Sequence, residues 1–172
     1  QADAEVARVI RGYTSGVSSF QRIDRLIADA LEIDPNLSSA LATKGWLIGA
    51  ITGDTGEGLR IIENARMRDA KAPLTYFYSA WLLIGEKLLN EASRSIEQGL
   101  RHNALDRGLV GLNVWLLCAQ HRDKEALDFL EKAIILRPDV DLLWIMKAIL
   151  LALAFGLMAK LMQGCCHSHQ VQ

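Results

Sequence analysis

The chain has 172 residues, 51% of them apolar and 23% charged, with only three prolines. That length is enough for one domain with a sizeable core, and the abundance of Ala, Leu, Ile, Glu, Lys and Arg favours helix over sheet. A net charge of −1 gives no field to draw in nucleic acid or a membrane, and an odd set of cysteines (Cys118, Cys165, Cys166) fits a reducing compartment better than a disulfide framework.

In chain order, the opening "QADAEVARVIRG" lacks the apolar core of a secretory signal and an initiator Met, so a piece of a longer protein is expected. Helices are predicted at about 2–13, 18–33, 37–51, 55–69, 73–87, 89–102, 106–120, 123–136 and 139–162. The second ends in Asp34-Pro35. Asp54 and Glu57 have the capping-box spacing at the start of the fourth. Pro73 suits a first helical turn, and Asp123 is expected to cap "KEALDFLEKAI". "GAITGDTGEG" from Gly49 lacks the Lys-Ser/Thr of a phosphate loop and follows a helix, so it reads as a turn.

Several columns recur every 34 or 35 residues. One holds Ala30, Ala65, Gly99 and Ala133, with Ile27, Ile62, Ile96 and Leu130 three positions earlier. Ile23, Gly58, Ala92 and Ala126 stand seven earlier. These offsets share one helical face. A second set lies on the alternate helices: Gly45, Ala80, Val114 and Ala148, flanked by Leu41, Tyr76, Val110 and Trp144 and by Ile48, Leu83, Leu117 and Leu151. Small residues in both sets let paired helices approach closely. Each unit is therefore two antiparallel helices joined by a short turn.

The best-matching stretch is "DKEALDFLEKAIILRPD", with "ADALEIDPN" close behind, and over residues 5 to 155 the chain resembles the tetratricopeptide repeat (TPR) family. It departs from the family pattern at Lys44, Ser79, Asn113 and Lys147, where Leu is usual, and at Ala70 and Ala104, where Pro is usual. The resemblance implies an all-α, right-handed superhelical solenoid of antiparallel helix pairs. It would form one repeat domain over 1–163, with units at about 5–35, 39–72, 74–106 and 108–140 and a partial unit at 142–163. Residues 164–172 would be a flexible tail.

Trp46, Trp81 and Trp115 follow the small column by one residue, and the resemblance turns that column toward a concave groove where peptides are held. The neighbouring groove columns are Ala42, Phe77 and Gly111, then Gly49, Ile84 and Cys118. Such a lining is apolar and lacks the Lys, Arg and Asn of the family's carboxylate-binding mode, so that mode is not expected. Two readings of the indoles stand side by side. Successive helices could clamp them as core. Alternatively they form an exposed patch, costly to leave open at about 1.5–3 kcal/mol per large side chain, and patches of that kind mark interaction sites. On the second reading, Trp46, Phe77, Tyr78, Trp81, Ile84 and Trp115 would bind a protein or peptide partner.

The C-terminal "DLLWIMKAILLALAFGLMAKLMQGCC" is the most apolar stretch, where a solenoid normally ends in a helix with a polar outer face. Its uninterrupted run, 148–159 between Lys147 and Lys160, is shorter than the about 20 residues of a membrane span. Self-association as a homodimer is expected there, through Trp144, Ile149, Leu153, Phe155, Leu157 and Met158, with truncation in the middle of a longer array as the alternative. Cys165, Cys166, His167 and His169 are too crowded for the usual zinc spacing, Cys118 in its apolar helix is expected to be a buried thiol, and His102 and His121 have no evident catalytic partners. No metal, cofactor, nucleic acid or catalysis is expected. The expected role is a cytoplasmic protein-interaction scaffold. Two alternatives are a sensory or oligomerising part of a larger bacterial regulator or cyclase, and a groove that holds a lipid or other apolar small molecule.

Overall fold

A computed structural model describes residues 17–152. Its backbone contacts divide the chain into two compact units, Gln1–Leu112 and Asn113–Gln172. Among the described residues there is helix and no strand. The first unit contains α1 (Val17–Ile33), α2 (Ser38–Thr52), α3 (Thr55–Arg68), α4 (Pro73–Gly85), α5 (Leu89–His102) and the first half of α6 (Arg107–Ala119). The second contains the rest of α6, α7 (Asp123–Leu136) and the helical residues 141–152, here α8. Each end of these helices lies within two residues of its sequence expectation, except the C-terminal end of α8, which lies outside the described residues. The helix expected at 2–13 and the tail at 164–172 lie outside the described residues.

Local chemistry explains where helices start and turn. Asp54 accepts the Glu57 N–H at 2.9 Å, which satisfies one of the unpaired donors at the start of α3. Pro73 sits in the first turn of α4, where its missing N–H costs nothing. The cap expected from Asp123 is corrected: Arg122 is the N-cap of α7 and makes no side-chain capping bond, while Asp123 is already helical. In that first turn a carboxylate still meets the positive end of the helix dipole. The connections after α2, α4 and α6 share one device. Gly53 (φ 74°), Lys87 (φ 61°) and His121 (φ 58°) are all left-handed, one full repeat apart. Connections this short fold each helix back on its predecessor.

Within the first unit α2 packs on α3 and α4, and α4 packs on α5. The contact of α2 with α3 is backbone to backbone. A Cβ on Gly45 would stand 2.6 Å from the Gly58 carbonyl oxygen, and one on Gly58 would stand 2.6 Å from the Gly45 oxygen. Ile62 and Ala65 complete that face at 0% exposure. The equivalent contact of α4 with α5 places Tyr76 against Gly99, where an added Cβ would meet Tyr76 Cβ at 2.8 Å. The Tyr76 hydroxyl donates to the Ala70 carbonyl at 2.8 Å, and Arg66 lies 4.6 Å above its ring. Two buried hydroxyls at these seams are satisfied: Ser38 donates to the Ala65 carbonyl at 2.8 Å and Ser95 to that of Tyr76 at 3.2 Å.

In the second unit Ala126, Leu130 and Ala133 are buried, as their counterparts are in α3 and α5. Leu143 and Leu150 of α8 are buried too, and Lys147 pairs with Glu131 of α7 at 2.8 Å.

Candidate partner-binding site

The helices that carry the Trp column are almost without charge. α2 contains only Lys44, α6 only Arg107, and α4 (PLTYFYSAWLLIG) none. Charges collect instead on α3, α5 and α7, where Glu57–Arg60, Glu91–Arg94 and Arg122–Glu125 pair one helical turn apart. Partition of this kind leaves one set of helices to meet solvent and the other to meet apolar surface.

On α4, Phe77 and Trp81 are four residues apart and so neighbours on one face. Their rings stack at 6.0 Å with an interplanar angle of 30°. Phe77 also meets Tyr78 edge-on at 5.5 Å, and Tyr78 stacks on Trp46 of α2 at 5.6 Å. The four rings form one aromatic run in the first unit, sealed at one end and exposed at the other. Trp46 is 4% exposed and Tyr78 1%, whereas Trp81 is 37% exposed. Phe77 is half-buried and rests against α6 at Gly108, where a Cβ would stand 3.2 Å from its ring. Ile84, one turn beyond Trp81, is half-buried.

The ladder of six contact residues is therefore corrected. Trp46 and Tyr78 are core residues of the hydrophobic cluster with Ile23, Ile27, Ile62 and Leu82. Tyr78 is what covers Trp46, so that indole reaches no partner, and its buried N–H has no hydrogen-bond acceptor. Phe77, Trp81 and Ile84 remain together at the surface of α4. Trp115, in the second unit, is 54% exposed. On α8, Trp144 and Ile149 are 49% and 55% exposed, while Leu153, Phe155, Leu157 and Met158 lie outside the described residues. The Cys-His tail also lies outside them.

A concavity of about 380 Å³ between α1 and α2 is lined by Phe20, Leu47, Ile48 and Ile51, with Gln21, Asp24 and Thr52. Sequence reading had not singled it out, because its walls come from two helices whose separation no repeat column specifies. Burial, with the nearby Asp123 carboxylate, pushes the Cys118 thiol up from its usual range, which suppresses the thiolate. Among the described residues no group of His, Cys, Asp and Glu could hold a metal ion. No described helix is long and apolar enough to cross a membrane.

No family model matches the sequence, and no curated protein matches it. Solved structures do. Naa15/Naa10 bound to HypK-THB matches at a TM-score of 0.62 with 18% identity, over 92% of this chain and 24% of that one. PilF of Pseudomonas aeruginosa matches at 0.61 with 15% identity, over 90% of this chain and 68% of that one. YrrB, described as a TPR protein with an unusual peptide-binding site, matches at 0.54 with 19% identity, over 84% and 74%. The fold is the TPR fold. The all-α pairing and the repeat columns of this chain are those of a TPR-like solenoid, although the chain spans only about a quarter of the Naa15/Naa10 chain it matches.

Proposed function

We propose that the chain is a non-catalytic protein-interaction module of a cytoplasmic TPR protein, which docks an apolar helix or extended segment over the Phe77–Trp81 face of α4. One observation carries this reading: a stacked, part-exposed aromatic pair on a helix with no charge. The TPR resemblance supports this reading, because it implies that both columns face a groove. Desolvating a part-exposed indole is favourable, and Trp is enriched at the energetic centre of interfaces. Recognition rests on apolar contact and ring stacking, with Ile84 extending the surface, and Trp115 stands in the same repeat column as Trp81. YrrB, described as having an unusual peptide-binding site, and the Naa15/Naa10 structure bound to HypK-THB share this fold, which supports a partner-docking role.

Peptide display on the purified chain tests the proposal. The selected sequences should be apolar or amphipathic, and Trp81→Ala should weaken them at least tenfold. Sequences that bind through a free C-terminal carboxylate, or that ignore Trp81→Ala, would contradict it. The α1–α2 concavity favours a second reading, an apolar small molecule held there. Native mass spectrometry of the purified chain should then show a bound adduct that Ile51→Glu removes. Self-association through α8, the other expectation from sequence, rests on exposed Trp144 and Ile149. Sedimentation of the chain over a range of concentrations tests it.

A further inference from the structure

α1, α3 and α5 occupy one place in successive repeats, and the charge at their C-terminal ends changes sign along the first unit. In repeat register the last turns carry Asp29, Glu32 and Ile33 on α1, Asn64, Met67 and Arg68 on α3, and Gln98, Arg101 and His102 on α5. All of these residues are exposed. Contacts join the three ends into one edge. Ser38, just beyond α1, donates to the Ala65 carbonyl in the last turns of α3 at 2.8 Å. Tyr76 of α4 touches the other two ends: the Arg66 guanidinium of α3 lies 4.6 Å from its ring centre, and the His102 ring of α5 lies 5.6 Å from it.

The two signs differ in what explains them locally. Arg68 and Arg101 meet the negative end of their own helix dipoles, where a cation is favourable. Glu32 meets the same end of α1 with the wrong sign, and α1 has no basic residue in its last turn. Asp29, Glu32, Arg68 and Arg101 form no ion pair with a described residue. The other carboxylates of this edge are engaged. Asp34 and Asp69 each accept a turn N–H at 2.9 Å, and Glu63 pairs with Arg66. Ile33 and Met67, at 87% and 82%, are the most exposed large apolar side chains among the described residues, and they stand among these charges. Such an edge is complementary to itself. About a twofold axis at Met67, α1 of one copy meets α5 of the other, and the contact is made twice. Each contact sets Asp29 and Glu32 against Arg101 and His102, with Ile33 and Met67 inside a charged rim. An acidic or a basic peptide would satisfy only one half of the edge.

We propose that the first unit pairs with a second copy of itself through this edge, antiparallel, and that opposite charges set the register. The surface is separate from Phe77–Trp81 and from α8. Three helix ends make a small interface, so the dimer is transient and sensitive to salt. Sedimentation of the chain at low salt should show a monomer–dimer equilibrium, weakened at least tenfold in about 0.5 M salt. Asp29→Lys with Glu32→Arg should leave a monomer, and so should Arg101→Glu with His102→Glu, both with helix content unchanged. Mixed one to one, the two variants should dimerise, because each contact again brings opposite charges together. Recovery on mixing also shows that both are folded. Three results would overturn the proposal: a chain monomeric at low salt, a dimer that survives either double substitution, or variants that stay monomeric when mixed. Association through α8 would give the second of these.

Discussion

Gly45 on α2 and Ala148 on α8 occupy one repeat column and meet opposite fates. Gly45 touches the backbone of α3 so closely that no Cβ fits, whereas Ala148 faces solvent. The same contrast divides Trp46 from Trp81. Sequence gives both the same place in their units, yet one is core and the other surface. A repeat column thus encodes the face a helix presents. Whether that face is filled depends on what the next helix brings to it, and in a solenoid each unit has only its neighbours to bury it.

Truncation at the two indoles should sharpen this contrast most. Trp46→Ala opens a cavity under Tyr78 and should cost about 4 kcal/mol, the usual scale for a buried aromatic. Trp81→Ala should cost about 1 kcal/mol, since much of its surface is already in water. Urea unfolding followed by far-UV circular dichroism measures both, and equal losses would break the comparison. Next comes overpacking. Gly45→Leu should lose about 3 kcal/mol because the obstruction is a backbone carbonyl that cannot swing aside. Ala148→Leu should change stability by about 0.5 kcal/mol or less in the same assay.

Smaller effects separate the turns. Lys87 holds a left-handed conformation that suits glycine, so Lys87→Gly should raise stability by about 0.5–1 kcal/mol. Gly53→Ala, which meets no atom within 4 Å, should lose about 1 kcal/mol through backbone conformation alone. Thermal melts of the pair should move in opposite directions.

The weakest effect lies at Asp139. A hydrogen bond from the Arg137 guanidinium holds its carboxyl at about 2, below the ordinary 3.8. The folded value is the lower one, so this contribution is present above the ordinary value and disappears as pH falls toward 2. Both groups are exposed, so the change in stability should be slight. A carboxyl NMR titration should find the low midpoint in the parent chain and a higher one in Arg137→Gln, with the backbone hydrogen bond to Asp139 still holding it below the ordinary value.

Much of the fold was legible because period, small residues and aliphatic spacing all demand the same helix pairs. The α2–α3 contact could be read from Gly45, Gly58 and Ile62, since only small residues permit such an approach. The site was less legible. Trp46 looked equivalent to Trp81 because the period is blind to the covering residue one unit on. For Trp46 that residue is Tyr78, whose ring stacks on it; for Trp81 the corresponding position holds Leu112, which has no ring. Attention to that column would have found the difference. Asp123 was misplaced by one residue as a cap because Arg122, an unusual N-cap, makes no side-chain bond that a pattern could reveal.

The most direct test uses four variants, each retaining one of the four tryptophans (Trp46, Trp81, Trp115, Trp144) with the others changed to Phe. Acrylamide quenching of each should find Trp46 blue-shifted and protected, and the other three readily quenched. A protected Trp81, or a Trp46 quenched as easily as the rest, would contradict the division into a sealed and an exposed end on which the docking face depends.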